Sequence, residues 1–159
     1  MGWHMKLLVM DVDGTLTDGK IYIGSKGEEF KSFNVKDGYA INEMLHKNGI
    51  KTAIITGRES EIVNIRAREL SIDCVYQNVS DKVETLKQIV ELYGISIEEV
   101  AYIGDDLNDF EAMKKCGITG CPADAVDEIK NISDYTSKFN GGDGAIRDFV
   151  DWILKNKVW

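Results

Sequence analysis

The chain has 159 residues, of which 43% are hydrophobic and 29% are charged, a balance typical of one folded domain rather than of a disordered chain. Its 19 Lys and Arg residues against 27 Asp and Glu residues give a formal net charge of −8, which argues against nucleic acid or an anionic membrane surface as a partner. An acidic protein can still bind a phosphorylated substrate if a local group offsets the repulsion.

The sequence predicts a cytoplasmic protein without disulfides or a membrane span. Its three cysteines, Cys74, Cys116 and Cys121, lack the spacing of metal ligands or of a disulfide framework. No apolar run approaches the length of a membrane span, and the first residues lack the apolar stretch of a signal peptide. Residues 1–5 are expected to be a tag or a disordered start, and residues 6–159 a single domain.

Short apolar runs alternate along the chain with segments of helical period. The runs predict strands buried on both faces, at residues 7–10, 52–55, 74–76 and 100–103. Residues 20–33 hold two alternating stretches around a Gly-Ser-Lys-Gly turn, which predicts a β-hairpin after the first strand. Helices are predicted at residues 37–48 (capped by Asp37), 60–70, 80–93, 107–115 and 144–155. This order predicts an α/β fold, a doubly wound, Rossmann-like parallel sheet with helices on both faces.

Polar residues that can carry chemistry follow each of the predicted strands. Because ligands of open α/β sheets bind beyond the carboxyl ends of the strands, we expect these residues to share one rim. They are Asp11, Asp13 and Gly14 after the first strand, Thr56, Gly57 and Arg58 after the second, Lys82 after the third, and Asp105, Asp106 and Asp109 after the fourth.

Carboxylates crowded on one rim repel one another unless a hard cation bridges them, and Mg²⁺ takes carboxylates, waters and phosphate oxygens as ligands. Asp11 is then placed to attack phosphorus and form an aspartyl-phosphate. Asp13 is suited to protonate the leaving group and later to deprotonate water. The remaining groups can stabilise the phosphoryl group: the Thr56 hydroxyl, the Gly14 and Gly57 amides, and the Lys82 ammonium.

DxDGT, Thr-Gly, Lys and GDDxxD, in this order, resemble the motifs of the haloacid dehalogenase superfamily of aspartate-nucleophile phosphatases. The resemblance implies that Asp11, the main-chain carbonyl of Asp13 and Asp105 hold Mg²⁺, with Asp106 or Asp109 in support. Each motif alone is weak, because DxD recurs by chance and GDD occurs in unrelated turns. Taken singly, Asp13 and Asp109 could merely cap turns, and Lys82 could be a solvated helix residue. The order of four motifs after four predicted strands is what makes the resemblance specific.

No cap domain fits between these motifs. The hairpin and one helix fill the segment between Asp13 and Thr56, and one helix and one strand fill the segment between Thr56 and Lys82. Such a bare site must either admit large substrates or take its cover from a neighbouring subunit, and the second option predicts an oligomer.

Residues 33–38, 55–58 and 141–148 resemble the 3-deoxy-D-manno-octulosonate 8-phosphate phosphatases. They also resemble relatives acting on nine-carbon ulosonate 9-phosphates and the phosphatase-like domain fused to some acylneuraminate cytidylyltransferases. The resemblance implies a small sugar-acid phosphate as substrate and a role in lipopolysaccharide biosynthesis. It further implies a capless homotetramer with active sites near the subunit interfaces.

The same resemblance suggests which residues bind the substrate. Asn34 lies in the first matching stretch, and the guanidinium groups of Arg58 and Arg66 suit the carboxylate of an ulosonate. Arg66 could equally be a surface charge paired with Glu69 or Glu61. Arg58, directly after Thr-Gly, has the better claim.

Two clues to the substrate point in different directions. Asn42 stands where octulosonate phosphatases tend to carry a basic residue, whereas Arg58 stands where relatives acting on nine-carbon substrates can carry Glu. The eight-carbon substrate is the favoured prediction. Arg147 either reaches an adjacent subunit's site or closes a contact of the C-terminal helix.

Two other function classes remain open on the sequence. One is a non-catalytic oligomerisation module, like the domain fused to some cytidylyltransferases. Such a module would not need its catalytic positions, whereas every one of them is filled in this chain. A response-regulator-like receiver shares the acids and the lysine after the strands. It needs neither the second acid of the DxD pair nor the Thr-Gly-Arg stretch.

Overall fold

The computed structural model describes residues 4–27 and 29–156, which form a parallel sheet covered by helices and extended by one hairpin. The strands are β1 (Leu7–Met10), β2 (Tyr22–Ile23), β3 (Glu29–Phe30), β4 (Lys51–Ile55), β5 (Cys74–Tyr76), β6 (Val100–Ile103), β7 (Ile118–Cys121) and β8 (Tyr135–Thr136). The six-stranded sheet has the order β5-β4-β1-β6-β7-β8, and all of its neighbouring strands are parallel. The chain winds outward on one side of β1 and then on the other, so β1 lies at the point where the winding reverses.

Helices cover both faces of the sheet. They are α1 (Val35–Tyr39), which continues through a π-helical turn (Ala40–Met44) into α2 (Leu45–Lys47), α3 (Glu61–Glu69), α4 (Lys82–Tyr93), α5 (Phe110–Met113), α6 (Asp127–Ile132) and α7 (Ala145–Asn156). One core cluster joins the sheet to the π-helical turn, α2, α3 and α7, and a second joins the opposite face to α4, α5 and α6. The predicted doubly wound α/β fold is confirmed.

Strand β1 shows why the apolar runs form the centre of this sheet. All four of its side chains are fully buried, Leu8 and Met10 in one core cluster and Leu7 and Val9 in the other. A strand covered on both faces must be apolar at every position, so it loses the alternation of a half-exposed strand. Burial of this kind contributes roughly 1.5–3 kcal/mol per large side chain.

The hairpin lies between β1 and α1, and its strands β2 and β3 pair antiparallel as predicted, Tyr22 opposite Phe30 and Ile23 opposite Glu29. The hairpin exposes three apolar side chains: Ile23 is 72% exposed, Phe30 62% and Tyr22 50%. Among the described residues the only other elements between β1 and β4 are a helical turn (Val12–Leu16) and the helix that begins with α1, so no cap domain is present there.

The first predicted helix begins earlier than expected, and its predicted cap was wrong. The side chain of Asn34 accepts hydrogen bonds from the backbone N–H groups of Lys36 (2.8 Å) and Asp37 (3.2 Å), so Asn34 caps α1. The buried carboxylate of Asp37 instead accepts the backbone N–H of Arg147 at 3.0 Å, in the first turn of α7. Asp37 therefore caps a helix that is distant in sequence.

Other boundaries also differ from the sequence prediction. β7, β8 and α6 were not predicted, and the helix expected at residues 107–115 is a 3₁₀ turn (Leu107–Asp109) followed by the short α5. Met5 is buried in the core, so the packed domain includes one residue of the segment predicted as a tag or disordered start. Residues 1–3 of that segment lie outside the described residues. Within the described ranges, no helix has the length and apolar character needed to cross a membrane.

Candidate active site

The ends of three neighbouring strands bring the predicted site residues to one edge of the sheet. Asp11 directly follows β1, Thr56 directly follows β4, and Asp105 follows β6 after one glycine. Because β1 is where the winding reverses, its carboxyl end opens into a crevice between loops. The resulting cleft has a volume of about 190 Å³ and is lined by Asp11, Asp13, Thr56, Gly57, Arg58, Asp105, Asp106 and Asn108.

Lys82 forms two ion pairs at the site, one with Asp11 and one with Asp109. Its ammonium nitrogen lies 3.0 Å from Asp11 Oδ1 and 2.8 Å from Asp109 Oδ1, and all three side chains are almost fully buried. Burial opposes the charge of Lys82, but Asp11 and Asp109 outweigh it and raise the lysine pKa above its usual value. Lys82 is thus a fixed positive charge beside Asp11, and the alternative of a solvated helix residue is wrong.

Asp109 supports this arrangement from below. Its Oδ1 accepts hydrogen bonds from Lys82 and from the Tyr102 hydroxyl at 2.8 Å, and its Oδ2 accepts the backbone N–H of Asp105 at 3.2 Å. With both oxygens occupied, Asp109 orients Lys82 and the loop after β6. Tyr102 was not predicted as part of the site, because in the sequence it is one more apolar position of a buried strand.

Three carboxylates, those of Asp11, Asp105 and Asp109, have oxygens within 4.8 Å of one another. Burial and the charge of Asp109 raise the pKa of Asp11 well above its usual value, and burial raises that of Asp105 to about 6. Crowded acids of this kind suit a hard divalent cation, which takes oxygen ligands. Because both oxygens of Asp109 accept hydrogen bonds, Asp11 and Asp105 are the side chains better placed to ligate it. The main-chain carbonyl of Asp13 as a third ligand stays a prediction.

Gly14 makes the close approach of these acids possible. Its φ of +92° is one that side chains rarely adopt, and a Cβ there would lie 2.0 Å from Asp105 Oδ2. The neighbouring Thr15 donates its hydroxyl to Asp105 Oδ1 at 3.1 Å. The DxDGT motif therefore supplies Asp11, and its Gly14 and Thr15 also leave room for the Asp105 carboxylate and orient it.

Asp13 lies at the mouth of the cleft, in contact with Arg58 and with a hairpin charge, Lys31, that was not predicted as part of the site. Its Oδ1 accepts a hydrogen bond from the Lys31 ammonium at 2.7 Å, and its Oδ2 lies 3.8 Å from Arg58 Nε. Glu29 completes the group, because its Oε1 lies 3.3 Å from Lys31 Nζ and 3.0 Å from Arg58 Nη2. The sequence held one indication of Glu29 and Lys31, two charges spaced two residues apart on the hairpin. Strands that face solvent show the same pattern, so it did not predict a place in the site.

The structure does not bring Asn34 and Arg66 into this cleft. Asn34 caps α1, and Arg66 packs over the ring of Phe33 at 5.5 Å and lies 3.7 Å from Glu69. Within one chain, Arg66 therefore pairs with Glu69, the surface contact that the sequence offered as the alternative to substrate binding. Substrate binding by Asn34 and Arg66 stays a prediction.

Arg147 makes a contact of the C-terminal helix. Its guanidinium lies over the ring of Tyr39, 5.4 Å from the centroid, and its Nε is 3.6 Å from Asp151. This is the contact of the C-terminal helix that the sequence analysis left open. Arg147 joins α7 to α1 and lines a separate groove on the surface.

Comparison with known proteins identifies the family. Residues 60–149 match the model of the haloacid dehalogenase-like hydrolases. The chain is also 43% identical over 151 residues to the 3-deoxy-D-manno-octulosonate 8-phosphate phosphatase of Escherichia coli K12, covering 95% of this chain and 80% of the relative. The chain belongs to the haloacid dehalogenase-like hydrolases.

Solved structures of this hydrolase family share the whole fold. The 3-deoxy-D-manno-octulosonate 8-phosphate phosphatase of Moraxella catarrhalis, solved with magnesium, phosphate and KDO, is 41% identical with a TM-score of 0.93, over 97% of this chain and 88% of that one. The cobalt-bound form of the Haemophilus influenzae phosphatase is 36% identical with a TM-score of 0.92, over 97% and 90% of the two chains. The predicted enzyme class is confirmed, and the receiver interpretation is wrong.

Proposed function

We propose that this hydrolase is a Mg²⁺-dependent phosphomonoesterase of 3-deoxy-ulosonate phosphates, with 3-deoxy-D-manno-octulosonate 8-phosphate as its substrate. The observation that carries the proposal is Asp11, buried at the end of β1 with Lys82 at 3.0 Å and Asp105 beside it. A carboxylate held in this way is a nucleophile prepared for an anionic group. The relatives named above are phosphatases of that substrate.

The proposed reaction passes through an aspartyl-phosphate on Asp11. The Asp11 carboxylate attacks phosphorus, the bond from phosphorus to the sugar oxygen breaks, and Asp13 gives a proton to that oxygen. A water molecule that Asp13 deprotonates then attacks phosphorus and restores Asp11. Thr56 and the amide of Gly57, which both line the cleft, hold the phosphoryl oxygens, which carry charge in the transition state. The Gly14 amide is left out of this role, because its N–H donates to Thr17 Oγ1 at 3.3 Å.

Two positive charges make this chemistry possible on an acidic surface. Lys82 is fixed beside Asp11 by its own ion pairs. Mg²⁺, held by Asp11 and Asp105, would neutralise the carboxylates and polarise the phosphoryl group. With these carboxylates neutralised, the site can admit a phosphate although the whole chain carries a net charge of −8.

Arg58 is proposed to bind the substrate's carboxylate. It lines the cleft and is 53% exposed, and its guanidinium already binds a carboxylate, that of Glu29, at 3.0 Å. Guanidinium and carboxylate match in shape and charge, so a sugar acid can take the same partner. The nine-carbon ulosonate 9-phosphates are the second candidate, because they present the same two anionic ends and Asn42 lacks the basic character expected for the eight-carbon substrate.

A panel of phosphates tests the substrate assignment. With Mg²⁺ present, kcat/KM should be highest for octulosonate 8-phosphate, lower for the nine-carbon 9-phosphates, and lowest for sugar phosphates without a carboxylate. Arg58→Ala should raise KM on the order of 10-fold for the sugar acids and leave that of 4-nitrophenyl phosphate nearly unchanged. Preference for a nine-carbon substrate would replace the assigned sugar, and no turnover of any phosphate would favour the non-catalytic module.

We also propose that the chain assembles as a homotetramer with active sites near subunit interfaces. The support is the group of exposed apolar side chains on the hairpin, those of Tyr22, Ile23 and Phe30. The cytoplasmic location stays a prediction of the sequence.

A further inference from the structure

Lys31 is a buried charge with no part in the proposed chemistry so far. Its side chain is 1% exposed, although it follows the short strand β3 at the edge of the molecule. Its ammonium nitrogen lies 2.7 Å from Asp13 Oδ1 and 3.3 Å from Glu29 Oε1. Removing an ammonium group from water costs several kcal/mol unless it is paired, so these two carboxylates determine where the lysine sits.

Strand geometry explains why the hairpin delivers this group. Residues two apart in a strand point to the same side, so Glu29 and Lys31 face the body of the domain while Phe30 faces outward and is 62% exposed. Glu29 then contacts Arg58, and Arg58 approaches the second oxygen of Asp13. Two cations and two carboxylates alternate in a closed ring that fixes both oxygens of Asp13.

Lys31 itself does not line the cleft, whereas Asp13 and Arg58 do. Any effect of Lys31 on the reaction must therefore pass through Asp13. Proton transfer needs the donor within hydrogen-bond reach of the leaving oxygen, so the orientation of the Asp13 carboxyl group decides its efficiency.

We propose that Lys31 is a positioning residue that holds the Asp13 carboxyl group for proton transfer, with Glu29 anchoring Lys31. The hairpin thereby supplies to this capless enzyme a support for its acid–base residue from within the same chain. The inference rests on the proposed function, since it assigns a role in that reaction.

The dependence on the leaving group separates positioning from mere stability. When the bond from phosphorus to oxygen breaks, the oxygen keeps the electron pair and must gain a proton if it would otherwise leave as an unstable alkoxide. A sugar alkoxide or a phenolate benefits from the Asp13 proton, whereas 4-nitrophenolate leaves readily without it. Phenyl and 4-nitrophenyl phosphate have nearly the same shape and no carboxylate, so Arg58 does not distinguish between them.

The test compares Lys31→Met with the wild type in Mg²⁺, measuring kcat/KM, which reports the steps up to phosphoryl transfer. We expect a loss on the order of 10²-fold for octulosonate 8-phosphate and phenyl phosphate, because a misplaced catalytic group costs about that factor. The loss for 4-nitrophenyl phosphate should stay within about 3-fold, since its leaving group hardly needs the acid. Lys31→Arg should recover part of the loss, and Lys20→Met, which removes an exposed charge just before the hairpin, should behave like the wild type.

An equal loss for all three substrates would show that Lys31 only anchors the hairpin, and would overturn the proposal. If Lys31→Met is insoluble, Lys31→Gln takes its place, because the glutamine amide keeps a hydrogen-bond donor without the charge. A loss that depends on the leaving group then supports the proposal, and an equal loss for all three substrates overturns it. A wild type that releases phosphate from none of the three substrates would contradict the proposed function itself, and the role of Lys31 with it.

Discussion

Asp109 illustrates how single residues sustain the cleft without touching a substrate. It is fully buried and its oxygens receive hydrogen bonds from Lys82, Tyr102 and the loop after β6. A buried carboxylate with this many donors is costly to replace, because its partners would lose their own hydrogen bonds. The sequence suggested a supporting role at the metal or a turn cap. The turn cap is present, and the packed structure shows in addition that Asp109 pairs with Lys82.

Gly14 provides a test of the metal seat at the level of one residue. Gly14→Ala should abolish most phosphatase activity and raise the Mg²⁺ concentration needed for half-maximal rate, because the added Cβ would displace the Asp105 carboxylate. Circular dichroism should show that the fold persists. Steady-state rates over a magnesium titration measure the effect.

Gly27→Ala is the matched control for this substitution. Gly27 has a φ of +82°, similar to that of Gly14, but a Cβ there meets nothing within 4 Å. It should cost about 1 kcal/mol of stability through backbone strain and leave the magnesium dependence unchanged. An equal loss of activity in both variants would show that strain, and not the contact with Asp105, causes the effect.

At the scale of elements, Asp37 joins α1 to the first turn of α7. Burial raises its pKa from 3.8 to about 6, although the backbone N–H of Arg147 favours the carboxylate. The folded state thus binds a proton more tightly than the unfolded state. This group's contribution to stability is therefore fully present below about pH 4 and is lost as the pH rises to about 6.

Asp37→Asn removes that dependence and tests it. The stability of the wild type relative to the variant should fall by on the order of 2–3 kcal/mol between pH 4 and pH 7. Urea unfolding of both proteins across this range gives the difference directly. A difference that stays constant with pH would contradict a raised pKa at Asp37.

The elements also show how far the sequence leads. β1, β4 and β6 were predicted because burial on both faces requires continuous apolar residues, and their loops carry the motifs. β5 was predicted on the same ground, but it lies at the edge of the sheet and its three residues are only partly buried. β7 was missed because Gly120 interrupts it, and the reason is tertiary: a Cβ there would lie 2.5 Å from the ring of Phe149. The cap of α1 was misassigned because local spacing cannot show that Asp37 bonds to a helix more than a hundred residues later.

The site follows the same division. Asp11, Thr56, Lys82 and Asp105 could be predicted, since parallel topology places the ends of neighbouring strands together whatever the details of packing. Glu29 and Lys31 could not, because a hairpin strand can face solvent or the domain and its sequence does not say which.

For the whole molecule, the exposed apolar side chains of the hairpin predict assembly. Light scattering should give the mass of a tetramer for the wild type, whereas Phe30→Asp should shift the distribution to smaller species by burying an unpaired charge in the interface. Leu92→Asp is the control, because Leu92 is an exposed apolar residue on α4, away from the hairpin. A monomeric wild type with full activity would contradict both the assembly and the need for a neighbour's cover.

The central claim is that Asp11 is the nucleophile of a phosphomonoesterase, and the most direct test is the rate of phosphate release by Asp11→Asn. With Mg²⁺ and octulosonate 8-phosphate, the wild type should turn over and Asp11→Asn should lose at least about 10³-fold in kcat, because the amide cannot form the aspartyl-phosphate. Turnover by Asp11→Asn within about 10-fold of the wild type would contradict the claim, because an enzyme that keeps its rate without the Asp11 carboxylate does not use that carboxylate as its nucleophile.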